Sequence, residues 1–134
     1  MRTLHDNIDS KDVLQRVEVY DLLNEYPSQK TLQFLGKAIE SEDNELARSY
    51  VTMLWAEMSK ELGSDATKVL DYICKQKQRQ EVQQSAYCMS SCYYAEYLFG
   101  NEAAIQKIEN ICERSEGQVQ IGIEYLLEDM KTAM

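Results

Sequence analysis

Residues 85–99 read SAYCMSSCYYAEYLF, and apolar side chains fall on nearly every face of a helix drawn through them. A helix without a polar face belongs at the centre of its domain or at an interface with another molecule. Gly100 follows the segment directly and is typical of the residue that ends a helix. The segment therefore predicts an all-α domain arranged around one apolar helix.

The composition and the spacing of apolar residues also favour helices. Of the 134 residues only 5 are glycine and 1 is proline, too few for the turns of an all-β domain. Apolar residues recur at i, i+3, i+4 and i+7 along most of the chain, as they do on one face of a helix. The spacing predicts helices over about residues 9–26, 28–41, 44–62, 64–74, 85–99, 101–116 and 118–130.

The short connections between these helices predict their arrangement. Helices joined by a few residues pack as antiparallel neighbours, so we expect one domain over residues 1–134, a compact bundle of six to seven antiparallel helices. Residues 1–8 are expected to form a flexible N-terminal segment. An array of helical hairpins is the alternative, because the pairs at 10–41, 44–80 and 82–116 are close in length to the roughly 34 residues of tetratricopeptide hairpins.

One tract leaves the helix boundaries open. Residues 75–84, KQKQRQEVQQ, contain a single apolar residue, but they also contain no residue that breaks a helix. Either one helix runs from 64 to about 99, or two helices meet near this tract. We favour the break, because a compact domain seldom leaves three helical turns unpacked.

The charge favours some partners over others. With 14 Lys and Arg against 23 Asp and Glu the net charge is −9, which opposes binding to nucleic-acid phosphates and suits basic protein partners. Two acidic segments are candidates for steering such a partner, and we expect the first to be a solvated turn. Their residues are Glu40, Glu42, Asp43 and Glu45, and Glu109, Glu113 and Glu116.

The sequence holds no recognisable catalytic or cofactor motif. His5 is the sole histidine, and no glycine-rich phosphate loop is present. We therefore predict a protein that is not an enzyme, with no cofactor, metal site or small-molecule substrate. The four cysteines, at 74, 88, 92 and 112, are expected to be buried free thiols. No apolar run is long enough for a transmembrane helix and the first seven residues are polar, so a cytoplasmic location is expected.

Tyrosine and methionine in the central segment suggest a function. Both residue types are common in protein interfaces, so we expect this helix to bind a partner helix or a second copy of the chain. In composition and architecture the chain resembles acidic cytosolic chaperones and adaptors, and a non-catalytic protein-binding module is the main hypothesis. The predicted partner-binding residues are Tyr87, Met89, Tyr93, Tyr94, Tyr97 and Phe99.

Two other functions remain open from the sequence. An acidic inhibitor, such as an immunity or anti-defence protein, would cover a basic nucleic-acid-binding surface with its carboxylates. A metal-dependent thiol protein would use the four cysteines. Salt dependence of binding separates the inhibitor from the binding module.

Overall fold

The computed structural model describes residues 12–132, and in that range the chain is all-α, as predicted. Eight helices follow one another, and one of them, α5, has only four residues. None of the eight is both long and apolar enough to cross a membrane. Their bounds are α1 Val13–Asn24, α2 Gln29–Ser41, α3 Glu45–Glu61, α4 Ala66–Lys77, α5 Gln80–Gln83, α6 Ala86–Leu98, α7 Ala104–Arg114 and α8 Gly117–Thr132.

Most helices begin at a side chain that caps them. The side chains of Asp12, Ser28, Asn44, Asp65 and Ser85 each accept a hydrogen bond from a backbone N–H in the first turn of the helix that follows. The predicted flexible segment 1–8 and the predicted start of the first helix at about residue 9 lie outside the described residues. Helix α7 has no side-chain cap and begins at residue 104, three residues after the predicted start at 101.

The tract at 75–84 contains the break that we favoured. Helix α4 ends at Lys77, and the short α5 separates it from α6. Val82, the one apolar residue of the tract, is only 1% exposed and packs with Val69 and Ile73 of α4. This one valine fixes the tract against the core, so the turns around it can be polar.

The helices of the bundle follow one another as an array. Among the described helices, substantial contacts join only neighbours one or two places apart, once the short α5 is set aside. Helices α3 and α6 run parallel, because Ser49 Oγ donates to the Tyr87 carbonyl (3.0 Å) near their starts and Lys60 Nζ donates to the Leu98 carbonyl (2.9 Å) near their ends. We call α1, α3, α6 and α8 the first helices and α2, α4 and α7 the second helices.

The core is correspondingly divided into three clusters along the array. The first cluster joins α1, α2 and α3, and the second joins α3, α4, α5 and α6. The third joins α7 and α8 to one side of α6. Trp55 packs against both the first and the second cluster, and its ring lies 4.9 Å from that of Tyr72. Each cluster therefore forms mainly from elements that are close in sequence.

A buried ion pair fastens α1 to the turn between α2 and α3. Arg16 donates from Nε and Nη2 to the two carboxylate oxygens of Glu42, at 2.9 and 2.7 Å, and the Tyr20 hydroxyl donates to the same carboxylate at 2.8 Å. Glu42 is only 3% exposed. It therefore differs from the solvated turn expected for residues 40–45, and it contributes to packing instead of to an acidic surface.

We predict that Glu42→Gln lowers the free energy of unfolding by about 3 kcal/mol, because it removes the buried carboxylate charge that the Arg16 guanidinium contacts at 2.7 Å. Urea unfolding followed by circular dichroism measures the change. The control is Asp43→Asn, since the Asp43 side chain is 95% exposed although its Oδ1 lies 3.7 Å from the same guanidinium. The control is expected to change stability by less than about 0.5 kcal/mol. Equal effects of the two variants would contradict the assignment.

The same carboxylate makes stability depend on pH. Burial alone would raise the pKa of Glu42, but hydrogen bonds from Arg16, Tyr20 and the Asn44 backbone hold it below the ordinary 4.5. A lowered folded-state pKa stabilises the protein above the unfolded-state value, and this contribution is lost as the pH falls through the folded-state pKa. We expect the stability difference between wild type and Glu42→Gln to be constant near pH 7 and to shrink below about pH 4.5. A difference that grows on acidification would contradict the ion pair.

Candidate partner-binding surface

The six residues predicted to bind a partner lie on several sides of α6. All six side chains are partly buried, because α6 is packed by α3, α4, α5, α7 and α8. Met89 and Tyr93 line a groove of about 480 Å³ beside α7, whereas Phe99 packs on the second cluster. Tyr97 packs on the third cluster, and Tyr87 and Tyr94 lie toward α3 and α8. The structure thus does not bring these six together in one groove.

The exposed apolar side chains are concentrated elsewhere. In residues 12–132 every large apolar side chain that is exposed lies on α1, on the turn after α1, on α3 or on α8, and none lies on a second helix. The most exposed are Leu14 (73%), Tyr26 (66%), Tyr125 (66%), Leu46 (55%) and Ile121 (51%). The unpartnered apolar area therefore belongs to the first helices.

One face of α3 forms the middle of this surface. Leu46, Tyr50, Met53 and Glu57 follow one another at steps of four, three and four residues, so they share one face of the helix. The Tyr50 hydroxyl donates to the Asp21 carboxylate of α1, and Met53 borders a cavity toward α8. This face of α3 therefore connects α1 on one side with α6 and α8 on the other.

The cavity between α3, α6 and α8 has a volume of about 240 Å³. On the wall of this cavity, Gly122 of α8 lets the Tyr87 ring come close to the α8 backbone. A Cβ atom added at Gly122 would lie 3.1 Å from Cε1 of Tyr87. The Tyr87 hydroxyl donates to the Gln118 carbonyl at 3.3 Å. We call this space the α8 cavity; its lining residues are Ser49, Met53, Tyr87, Ser90, Gly122, Ile123, Tyr125, Leu126 and Asp129.

Ser90 is the unusual residue of the α8 cavity. Ser90 is only 1% exposed, and its hydroxyl has no hydrogen-bond partner among the residues described. A buried hydroxyl without a partner costs about 1–3 kcal/mol. A ligand that entered the cavity and formed a hydrogen bond with this hydroxyl would remove the cost.

A row of tyrosines and carboxylates crosses all four first helices. Asp21 accepts from Tyr50, Glu57 lies beside both Tyr50 and Tyr94, and Asp129 lies near Tyr94. Burial, followed by these carboxylates, raises the pKa of both tyrosines, and burial also raises the pKa of Glu57. We call Asp21, Tyr50, Glu57, Tyr94 and Asp129 the tyrosine–carboxylate row.

No cation of the described chain neutralises the row. The ion pairs formed within residues 12–132 engage other acids, and Asp21, Glu57 and Asp129 are in none of them. Three negative charges along one row, none of them in an ion pair within residues 12–132, make this surface attractive to a cation. Sequence reasoning missed the row because its carboxylates come from three helices, although the spacing on α3 was visible.

The two predicted acidic segments lie on separate parts of the array. Glu40, Asp43 and Glu45 are exposed on or next to the α2–α3 turn, and Glu113 and Glu116 are exposed at the end of α7. Glu109 is partly buried and pairs with Lys131 at 3.2 Å. Since α7 has no substantial contact with α2 or α3, the two segments do not form one acidic surface.

The cysteines differ in burial. Cys88, Cys92 and Cys112 are buried free thiols as expected, but Cys74 is exposed, which corrects that expectation for one of the four. Burial raises the pKa of Cys92 to about 12 and also raises those of Cys88 and Cys112. In the part of the chain that the structure describes, no three His, Cys, Asp or Glu side chains are grouped so that they could hold a metal ion.

Known proteins add no assignment to this geometry. In the comparisons, no family model matches the chain, and no curated protein and no solved structure is significantly similar to it.

We predict that iodoacetamide labels one thiol of the native protein at least roughly ten times faster than the other three, because only Cys74 is exposed. Intact mass spectrometry over time counts the labels, and Cys74→Ser removes the fast one. In denaturant all four are expected to react at similar rates. Fast labelling of Cys92 in the native state would contradict the burial described.

Proposed function

We propose that the chain is a non-catalytic protein-binding module, an acidic helical adaptor or chaperone that works in the cytoplasm. The observation that carries the proposal is the position of the exposed apolar side chains on the first helices α1, α3 and α8. Leaving them in water costs about 25 cal/mol per Å² of apolar surface, and a partner that covered them would recover this free energy.

The residue types on this surface also suit protein binding. Tyr125 presents a large ring that is 66% exposed, next to the partly buried Tyr87 and Leu126 at the α8 cavity. Tyrosine buries a large area while losing few side-chain rotamers, and for this reason it is frequent at the centre of interfaces. A cavity beside such a ring offers a place for one side chain of the partner.

An acidic inhibitor remains the second candidate. It is favoured by exposed carboxylates at two separate places, residues 40, 43 and 45 and residues 113 and 116, either of which would face a basic nucleic-acid-binding surface. Binding through exposed charges weakens steeply as salt is added, whereas binding through apolar contacts does not. The two candidates thus predict opposite responses to salt.

We predict that Tyr125→Ser reduces capture of the partner at least roughly tenfold, because truncating an aromatic residue at an interface centre costs 2 kcal/mol or more. Tyr26→Ser is the matched control, since Tyr26 has the same exposed fraction, 66%, but lies in the turn after α1 and does not line the α8 cavity. The measurement is affinity capture from host extract with quantitative mass spectrometry, at about 0.1 and 0.5 M salt. The control is expected to change capture less than twofold.

Three other outcomes would contradict the proposal or redirect it. Equal capture by both serine variants would overturn the role of the first helices. Capture that disappears at 0.5 M salt and requires Glu113 and Glu116 would favour the inhibitor. A dimer in light scattering that Tyr125→Ser dissociates would show that the partner is a second copy of the chain.

A further inference from the structure

The tyrosine–carboxylate row and the α8 cavity meet at Asp129. This residue belongs to the row and also lines the cavity, together with Ser90 and Tyr125. The row provides three carboxylates without a cation, and the cavity provides a buried hydroxyl without a partner. The two observations are independent, because the first concerns surface charge and the second an unsatisfied hydrogen bond.

We infer that this surface binds an extended, lysine- or arginine-containing segment of a partner protein, with its cations on Asp21, Glu57 and Asp129 and a polar group on Ser90. The inference rests on the proposed binding function and specifies its partner. Cations also pack favourably on the faces of tyrosine rings, which alternate with the carboxylates along the row.

The dimensions fit a short peptide. Neighbouring helices pack about 8–10 Å apart, so the path from α1 over α3 and α6 to α8 measures about 24–30 Å. An extended chain covers this length with about eight residues, at about 3.3 Å each. Alternate side chains of such a segment point to the same side, so a cation at every second position would reach the row.

The chain's own tract at 75–84 carries three cations, Lys75, Lys77 and Arg79, which do not suit the row. Its Lys77 pairs with Glu96 and its Arg79 pairs with Glu81, so two of its three cations already have a counter-charge. Nucleic acid does not suit it either, because the phosphates would meet a surface of the same sign. A basic segment of another protein is the occupant whose charge and length match.

The test uses the full chain and a fluorescein-labelled peptide of four Lys-Thr repeats, measured by fluorescence anisotropy at 50 mM salt. We expect saturable binding, and no binding of the peptide with Glu in place of each Lys. The triple variant Asp21→Asn, Glu57→Gln and Asp129→Asn keeps the acceptors for Tyr50 and Tyr94 but removes three charges. It is expected to weaken binding at least tenfold.

The charge-matched control removes three exposed carboxylates that do not belong to the row. Glu102→Gln, Glu113→Gln and Glu116→Gln together give the same net charge as the triple variant of the row, and they are expected to change the affinity less than twofold. Equal weakening by the two triple variants would overturn the inference, because the peptide would then respond to net charge alone. A lack of saturable binding would overturn it as well.

Ser90 provides a second, independent variant. Ser90→Ala is expected to lower the affinity for the peptide about threefold, because one hydrogen bond is lost. Ser59→Ala is its matched control, since Ser59 is also 1% exposed with an unpartnered hydroxyl but does not line the α8 cavity. Circular dichroism and urea unfolding show whether each variant is folded. Identical affinities of the two alanine variants would overturn the role of Ser90.

The results also separate this inference from the proposed function. If Tyr125→Ser abolishes partner capture while the row variant leaves it unchanged, the chain is a binding module whose partner is not a basic segment. If Tyr125→Ser leaves capture unchanged, the proposed function fails whatever the peptide does.

Discussion

Helix α6 carries apolar side chains on nearly every face, so exposing any of its sides to water is unfavourable. This constraint determines which elements surround it. Its Cys88 and Cys92 are buried in the second cluster, and its Tyr93 and Tyr97 pack on the third. The parallel contact with α3 is made through backbone carbonyls at both ends of α6, which accept from Ser49 and Lys60. Because its neighbours come from both before and after it in sequence, α6 joins the second and third clusters, as Trp55 joins the first and second. The array therefore depends on the enclosure of one apolar helix.

At the other end of the array, the position of α1 depends on an interaction between charges. Helix α1 has few contacts with α2, and the buried pair of Arg16 with Glu42 is what connects it to the α2–α3 turn. The same helix carries Asp21 to the hydroxyl of Tyr50 on α3. A structural ion pair on one side of α1 thus positions a carboxylate of the candidate site on the other. The free energy that keeps α1 in place and the geometry of the row are consequently coupled.

The sequence predicted the fold class and most helices, because apolar spacing and capping residues are local signals. It also indicated the break near residue 80, where a polar tract contains the single buried Val82. Three features were not visible in it. The burial of Glu42 depends on Arg16, 26 positions away, so a local reading placed it in water. The row unites carboxylates of three helices, and only the face of α3 has a spacing that a reader could recognise. The orphaned hydroxyl of Ser90 depends on the packing of α6 against its neighbours, which no sequence pattern encodes.

The order of contacts along the array has a consequence for how the polypeptide folds as it leaves the ribosome. The first cluster draws its buried residues from 20–58, so it can close before α6 has been synthesised. The third cluster needs residues up to Met130 and closes last. Domains with local contacts fold fast, and vectorial synthesis favours growth from the N-terminal end. Until α7 and α8 emerge, however, the tyrosine-rich side of α6 stays uncovered, and the nascent chain is most prone to aggregate during that interval.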